Sequence, residues 1–89
     1  MMEIRFSPEA WEQYTCWQGQ DKRTIKRINE LLKDIVRGNP YEGIGQPEPL
    51  TGNLSGFWSR RIDARNRLAY RIVGGACQVA QYKGHYDDD

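Results

Sequence analysis

The hydrophobic rhythm of the chain changes halfway along. In the first half apolar residues recur every three or four positions, with Trp11, Tyr14 and Trp17 in one run and Ile25, Ile28, Leu31, Leu32, Ile35 and Val36 in a second. That spacing gathers side chains on one face of an α-helix and predicts two amphipathic helices, with the aromatic stripe of the first in the core. From Phe57 onward the period shortens to two over residues 57–63, 67–73 and 76–82, the pattern of strands with one covered face. Residues 3–6 add a short strand at the N-terminus.

Local signals bound these elements. Ser7-Pro8-Glu9 supplies an N-cap, a proline at the first helical position and an acid in the first turn. Gly19-Gln20-Asp21 makes a turn whose Asp21 caps the second helix, and Gly38-Asn39-Pro40 ends it. Two such helices joined by a short turn form an antiparallel hairpin. Residues 38–56 hold Gly38, Gly43, Gly45, Gly52 and Gly56 with Pro40, Pro47 and Pro49, and read as a shaped loop with at most a short strand near Leu50. The breaks at Asp63-Ala64-Arg65-Asn66 and Gly74-Gly75 are short enough to require an antiparallel meander.

The expected fold is therefore α+β: an N-terminal strand and a two-helix antiparallel hairpin packed on one face of a twisted antiparallel sheet. One domain spans residues 1–86, followed by the acidic tail Asp87-Asp88-Asp89. Strand alternation sends Trp58, Ile62, Leu68, Tyr70 and Ile72 toward the helices and Arg61 and Arg67 to the opposite face. Arg60 falls by parity on the apolar side, which predicts a place at the sheet margin or a pairing with an acid.

Composition narrows the classes. With 38% hydrophobic and 28% charged residues in 89, the chain reads as one globular domain. No apolar run approaches the roughly 20 residues that cross a bilayer, and Met1-Met2-Glu3-Ile4-Arg5-Phe6 is unlike a signal peptide, so a cytoplasmic location without membrane contact is expected. Cys16, Cys77 and His85 are too few for a zinc centre of about four ligands, and no metal or cofactor is expected. The two cysteines read as reduced thiols, with one long-range disulfide as the alternative.

Charge adds a direction. The formal net charge is +1, yet Arg60, Arg61, Arg65, Arg67, Arg71 and Lys83 face Asp63 alone over residues 57–86, and Lys22, Arg23, Lys26, Arg27, Lys33 and Arg37 outnumber Asp21, Glu30 and Asp34 over residues 21–37. Two basic regions in a nearly neutral chain point to a local surface for a polyanion; plain solvated faces would leave the same counts.

Candidate chemistry follows from that surface. RNA is cut without a metal when one group takes the 2′-hydroxyl proton, another protonates the leaving 5′-oxygen, and cations steady the phosphate between them. Glu48, held between Pro47 and Pro49, is a candidate general base, although an ordinary loop acid would look the same. His85, the single histidine, titrates near neutrality and suits a general acid; a surface histidine near the terminus is the bland alternative. Arg61 and Arg67 flank a tight strand connection and present guanidinium forks to one phosphate. Arg60 and Lys83 are further candidates for RNA contact. Lys83 and His85 share the Arg61 and Arg67 face by parity if the third strand is unbroken. Tyr86 is placed to stack on a base or to donate to a phosphate oxygen. No glycine-rich phosphate loop of the Walker or Rossmann kind is present.

A resemblance sharpens this reading. Lys22-Arg23, Ile28-Asn29-Glu30-Leu31, Gly45-Gln46-Pro47-Glu48-Pro49-Leu50, Asn53 through Ile62, Asn66-Arg67-Leu68-Ala69-Tyr70 and His85-Tyr86 closely resemble the YoeB (Txe) toxins of the RelE superfamily. The resemblance covers nearly the whole chain. It implies a RelE-like fold and a ribosome-dependent mRNA interferase, the toxin of a bacterial type II toxin–antitoxin pair. Cleavage in the ribosomal A site would be metal-independent, leaving a 2′,3′-cyclic phosphate and a 5′-hydroxyl. It further implies Glu48 as base, His85 as acid, Arg67 as transition-state cation, Arg61 on phosphate and Tyr86 as a positioning group. The implied partners are mRNA, the ribosome and an antitoxin of the YefM or Phd type; the aromatic content also permits a homodimer. Where relatives carry a lysine after Pro-Glu-Pro-Leu and an aromatic residue before the histidine, this chain has Thr51 and Gly84. The competing readings are a ParE-like toxin that binds a protein target without catalysis, and an RNA-binding module that does not cleave.

Overall fold

The computed structural model describes residues 2–19 and 21–83, the side chain of Lys83 excepted. Strand β1 (Glu3–Phe6) leads into α1 (Pro8–Gln18) and α2 (Lys22–Arg37). A long loop carries the two-residue strand β2 (Glu48–Pro49) and a 3-10 turn (Gly52–Leu54), after which come β3 (Trp58–Arg61), β4 (Arg67–Val73) and β5 (Ala76–Lys83).

Both helices begin as their sequences dictate. The Ser7 hydroxyl accepts from the Ala10 amide at 3.0 Å, and the same residue ties α1 to the sheet, its amide donating to the Val79 carbonyl and its hydroxyl to the Ala80 carbonyl. Asp21 accepts from the amides of Arg23 and Thr24 and from the Thr24 hydroxyl. These bonds, the hydroxyl first and the Thr24 amide next, hold its carboxyl below the usual range. Along α2 the residues Ile28, Leu31, Leu32, Ile35 and Val36 are all buried. In α1 only Ala10 is buried, and Trp11 is 54% exposed, stacked on Tyr14 at 6.0 Å. The expected aromatic core stripe is thus only partly realised, with Tyr14 and Trp17 at the core margin. The reason is geometric: a row of every third residue rotates by about 60° per step around a helix of 3.6 residues per turn, so its ends leave the buried face.

The sheet order is β1-β5-β4-β3-β2. The meander β3-β4-β5 and the β2–β3 pair are antiparallel, as expected, but β1 runs parallel to β5 with Glu3 opposite Ala76 and Phe6 opposite Val79. The expectation of a wholly antiparallel sheet is corrected on this point. A tight turn imposes antiparallel pairing only on consecutive strands, and β1 and β5 are separated by nearly the whole chain.

The helices cover one face of this sheet. Leu68, Tyr70, Cys77 and Val79 meet Ile28, Leu31 and Ile35 in a single core, each of these residues at most 1% exposed. On β5 the register passes from Val79 opposite Tyr70 to Gln81 opposite Ala69, leaving Ala80 as an extra residue. This bulge lets Tyr82 join Val79 on the covered side and reverses the parity of the residues beyond it. Strict alternation from Cys77 and Val79 would have kept residue 83 in step with the buried set; the bulge instead sets it opposite Arg67. Among the described residues no helix is long and apolar enough to cross a membrane. Both cysteines are free, Cys16 exposed and Cys77 buried.

Candidate active site

The face of the sheet turned away from the helices carries the candidate chemistry, and the 38–47 loop sets its floor. That loop is fastened from below by one side chain. Arg60 is fully buried on the helix side of β3. Its Nη1 donates to Asp34 Oδ2 at 2.5 Å and to the Ile44 carbonyl at 3.1 Å. Its Nη2 donates to the carbonyls of Asn39, Pro40 and Glu42, and its Nε to the Tyr70 hydroxyl. The Tyr70 hydroxyl in turn donates to the Pro40 carbonyl. Burial raises the phenol above its ordinary range, with Arg60 partly offsetting it, so the hydroxyl keeps its proton.

Arg60 therefore satisfies one of its two sequence expectations, pairing with an acid, and its candidacy for RNA contact is corrected: every donor faces the interior. A buried guanidinium requires such a set of acceptors, and the loop supplies four of them as backbone carbonyls. The close approach needs glycine. A Cβ on Gly45, where φ is +83°, would stand 2.7 Å from a Leu31 methyl, and one on Gly43 would overlap the Asp34 carboxylate.

Beyond Gly45 the loop turns onto the open face. The Gly45 carbonyl accepts from the Arg61 amide at 2.6 Å. Gln46 then adopts a positive φ of 51°, uncommon for a residue with a side chain. Its carbonyl accepts from Arg67 Nη2 at 3.1 Å. Two residues on, β2 pairs with β3 so that Glu48 lies opposite Ser59. Ser59 is fully buried, and its hydroxyl accepts from Arg67 Nε at 2.9 Å. Glu48 Oε1 stands 3.9 Å from Arg67 Nη2, the carboxylate being 63% exposed and the guanidinium 18%.

These contacts define a carboxylate beside a guanidinium whose plane is fixed at two points. Arg61 is in register directly opposite Arg67, as the tight strand connection predicts, and is exposed, with its Nε on the Asp63 carbonyl at 3.3 Å. Asp63 orders that connection by accepting from the amides of Arg65 and Asn66. Its partial burial raises its carboxyl, but these amides and the Asn66 side chain outweigh that effect and leave it below the ordinary range. Lys83 pairs in register with Arg67 from the other side. His85 and Tyr86 lie outside the described residues.

Glu48, Arg67 and Arg61 are thus brought to one face, while Arg60 is withdrawn into the core. Sequence reasoning did not find Ser59 and Gln46, which orient Arg67, or Asp34, which receives Arg60. For Ser59 a signal existed: it shares the parity of Arg61 on a strand beside the Pro-Glu-Pro segment. For Asp34 and the Gln46 carbonyl there was none, because their partners lie 26 and 21 residues away.

Known proteins share this architecture. The chain is 49% identical over 85 residues to Toxin YoeB of Escherichia coli K12, covering 96% of this chain and 100% of that protein. To Toxin YoeB of Streptomyces coelicolor it is 46% identical, with coverage of 96% and 100%. Among solved structures, a YoeB/ParE toxin from Agrobacterium tumefaciens superposes with a TM-score of 0.88 at 39% identity, covering 96% of this chain and 100% of that one. The YoeB dimer from Staphylococcus aureus gives 0.88 at 47% identity, with coverage of 96% and 98%. A YoeB-YefM complex from the same organism gives 0.88 at 45% identity, with coverage of 97% and 99%. The family model for the YoeB-like toxin of bacterial type II toxin-antitoxin system matches residues 6–86, and the chain is a member of that family.

Proposed function

We propose that this toxin is a ribosome-dependent endoribonuclease that cuts mRNA in the A site by metal-independent acid–base chemistry. Glu48 takes the proton of the 2′-hydroxyl as its oxygen attacks the adjacent phosphorus. Arg67 and Arg61 neutralise the charge that gathers on the phosphoryl oxygens. The P–O5′ bond breaks, His85 gives its proton to the departing 5′-oxygen, and Tyr86 helps to place the substrate. The products are a 2′,3′-cyclic phosphate and a 5′-hydroxyl.

The observation that carries this reading is the Glu48–Arg67 pair. A carboxylate stands 3.9 Å from a guanidinium on an open sheet face, and the guanidinium is already aimed by Ser59 and the Gln46 carbonyl. Preorganisation of this kind is what phosphoryl chemistry asks of a protein. Lys83 lies opposite Arg67 in register, and His85 follows it two positions later in the sequence.

The S. aureus complexes of YoeB with YefM, and the YoeB dimer of that organism, support two partners for this chain: a YefM-type antitoxin and a second copy of itself. The toxin works in the cytoplasm, where translated message is found, and an acidic antitoxin segment on the sheet face would block RNA and neutralise the arginines.

The test is cleavage of a translated message on purified ribosomes, with ends mapped by primer extension. New A-site ends with wild-type protein, reduced about 100-fold or more by Glu48→Gln and by His85→Gln with the fold intact, are expected. Unchanged rates in both variants would remove the acid and base assignments. A ParE-like protein binder or a non-cleaving RNA module would leave no new ends.

A further inference from the structure

The same open sheet face has a second cationic row that the proposed chemistry does not use. Phe57, one residue before β3, has the parity of Ser59 and stands beside Arg71 of β4. Arg71 is opposite Gln78 of β5, and Gln78 is opposite Arg5 of β1. Phe57, Arg71, Gln78 and Arg5 therefore cross the sheet as one row, four residues along β4 from Arg67 and so roughly 13 Å away. Between the two rows lie the small buried residues Ser59 and Ala69.

The second row is built rather than merely charged. The Arg71 guanidinium carbon stands 4.8 Å from the centre of the Phe57 ring, and its Nε donates to Gln78 Oε1 at 2.9 Å. The fork is thus held against an aromatic face, and among the described residues no carboxylate forms an ion pair with it. Arg5, whose Nη2 meets Glu3 Oε1 at 3.3 Å near solvent, borders the same space. Together with Phe6 and Val79 these residues line a cavity of about 290 Å³. An aromatic-backed guanidinium beside a partly apolar hollow suits a strand that offers both a flat base and a phosphate.

We propose that this row is a second RNA subsite, which takes a nucleotide a few positions away from the scissile phosphate as the single strand runs along the sheet face from Arg67 to Arg71. The inference rests on the ribonuclease reading and specifies how the same face holds its substrate beyond the reacting bond. Positive charge and stacking surface at this distance would add affinity for longer strands and none for shorter ones.

The experiment measures binding of fluorescent 2′-O-methyl oligouridylates, which cannot be cut, to the full chain by anisotropy. A dinucleotide, too short to reach both rows, and a decanucleotide are compared. The wild type is expected to bind the decanucleotide more tightly than the dinucleotide, by roughly tenfold or more. Arg71→Ala and Phe57→Leu are expected to erase that gain while leaving dinucleotide affinity unchanged, and Arg71→Ala to lower the salt slope for the decanucleotide by about 0.7. If the length gain survives in both row variants, the subsite is wrong and the ribonuclease reading stands. If the wild type shows no length gain, the subsite is equally overturned. If Arg71→Ala weakens binding of a polyglutamate peptide and not of RNA, the cavity belongs to an acidic peptide partner and the proposal falls.

Discussion

Arg60 and Asp34 meet at 2.5 Å beneath the 38–47 loop, with the arginine fully buried and the aspartate 34% exposed. The pair joins strand β3 to helix α2 and, through the carbonyls that Arg60 also holds, fixes the loop that leads to Glu48. A single guanidinium thus couples the core to the candidate site. Arg60→Ala should strip donors from Asn39, Pro40, Glu42 and Ile44 at once. A loss of about 3–5 kcal/mol is expected, read as a large fall in the urea midpoint. Asp34→Asn, at the solvent-screened partner, should cost less, about 1–2 kcal/mol. An Arg60→Ala variant as stable as wild type would contradict this role for the guanidinium.

The Ser59 hydroxyl is tied directly to Arg67, accepting from its Nε at 2.9 Å. Ser59→Ala removes the acceptor for Arg67 Nε without adding bulk, so the guanidinium loses one of the contacts that aim it, while the Gln46 carbonyl and Glu48 still stand beside Nη2. Stability should fall by about 1 kcal/mol, whereas cleavage should fall roughly tenfold or more through misplacement. Single-turnover rates on ribosomes check this, with Ser59→Thr restoring part of the loss. A rate unchanged by Ser59→Ala would show that Arg67 is oriented by other means.

Tyr82 is buried at 3% exposure, packs edge-on against Trp17 at 5.4 Å, and has no hydrogen-bond partner for its hydroxyl among the described residues. Burial raises the phenol above its ordinary range. Removing an unsatisfied buried hydroxyl relieves a desolvation cost, so Tyr82→Phe should leave stability unchanged or raise it by up to about 1 kcal/mol. Thermal unfolding decides the matter, and a clear fall in the midpoint would mean that the hydroxyl has a partner.

The two thiols should separate by reactivity. Cys16 is exposed, whereas burial pushes the Cys77 thiol up to about 12, slightly countered by Arg60. Folded protein at pH 8 should therefore react once with a thiol reagent, at Cys16, and a second time only after unfolding. The same shift makes stability fall with alkali. The unfolded thiol loses its proton near pH 8.5 to 9 while the folded one keeps it, so the contribution is complete below that range and is lost as pH rises toward 12. Cys77→Ala should flatten the decline of unfolding free energy between about pH 9 and 10, before the tyrosines of the unfolded chain titrate.

Much of the molecule was legible before any coordinates, because the determining interactions are local. Ser7 and Asp21 announce their helices through bonds to amides two and three residues on. The α2 stripe and the alternation of β3 and β4 sort apolar from polar faces by backbone period alone. The three-strand meander results from connections too short for any other pairing. Arg61 and Arg67 could be placed together for the same reason, since a tight turn fixes their register.

What the sequence by itself determined, then, is the set of elements, the helix-covered face and the candidacy of Glu48, Arg61 and Arg67. Only the tertiary structure decided that Arg60 turns inward to Asp34, that β1 lies parallel to β5, that a bulge at Ala80 resets β5, and that Ser59 and the Gln46 carbonyl aim Arg67. Each of these joins residues more than five positions apart, most of them more than twenty. Periodicity and capping carry information over one or two turns of chain; which distant acid, strand or carbonyl meets a given side chain depends on how the whole core closes, and no local pattern encodes it.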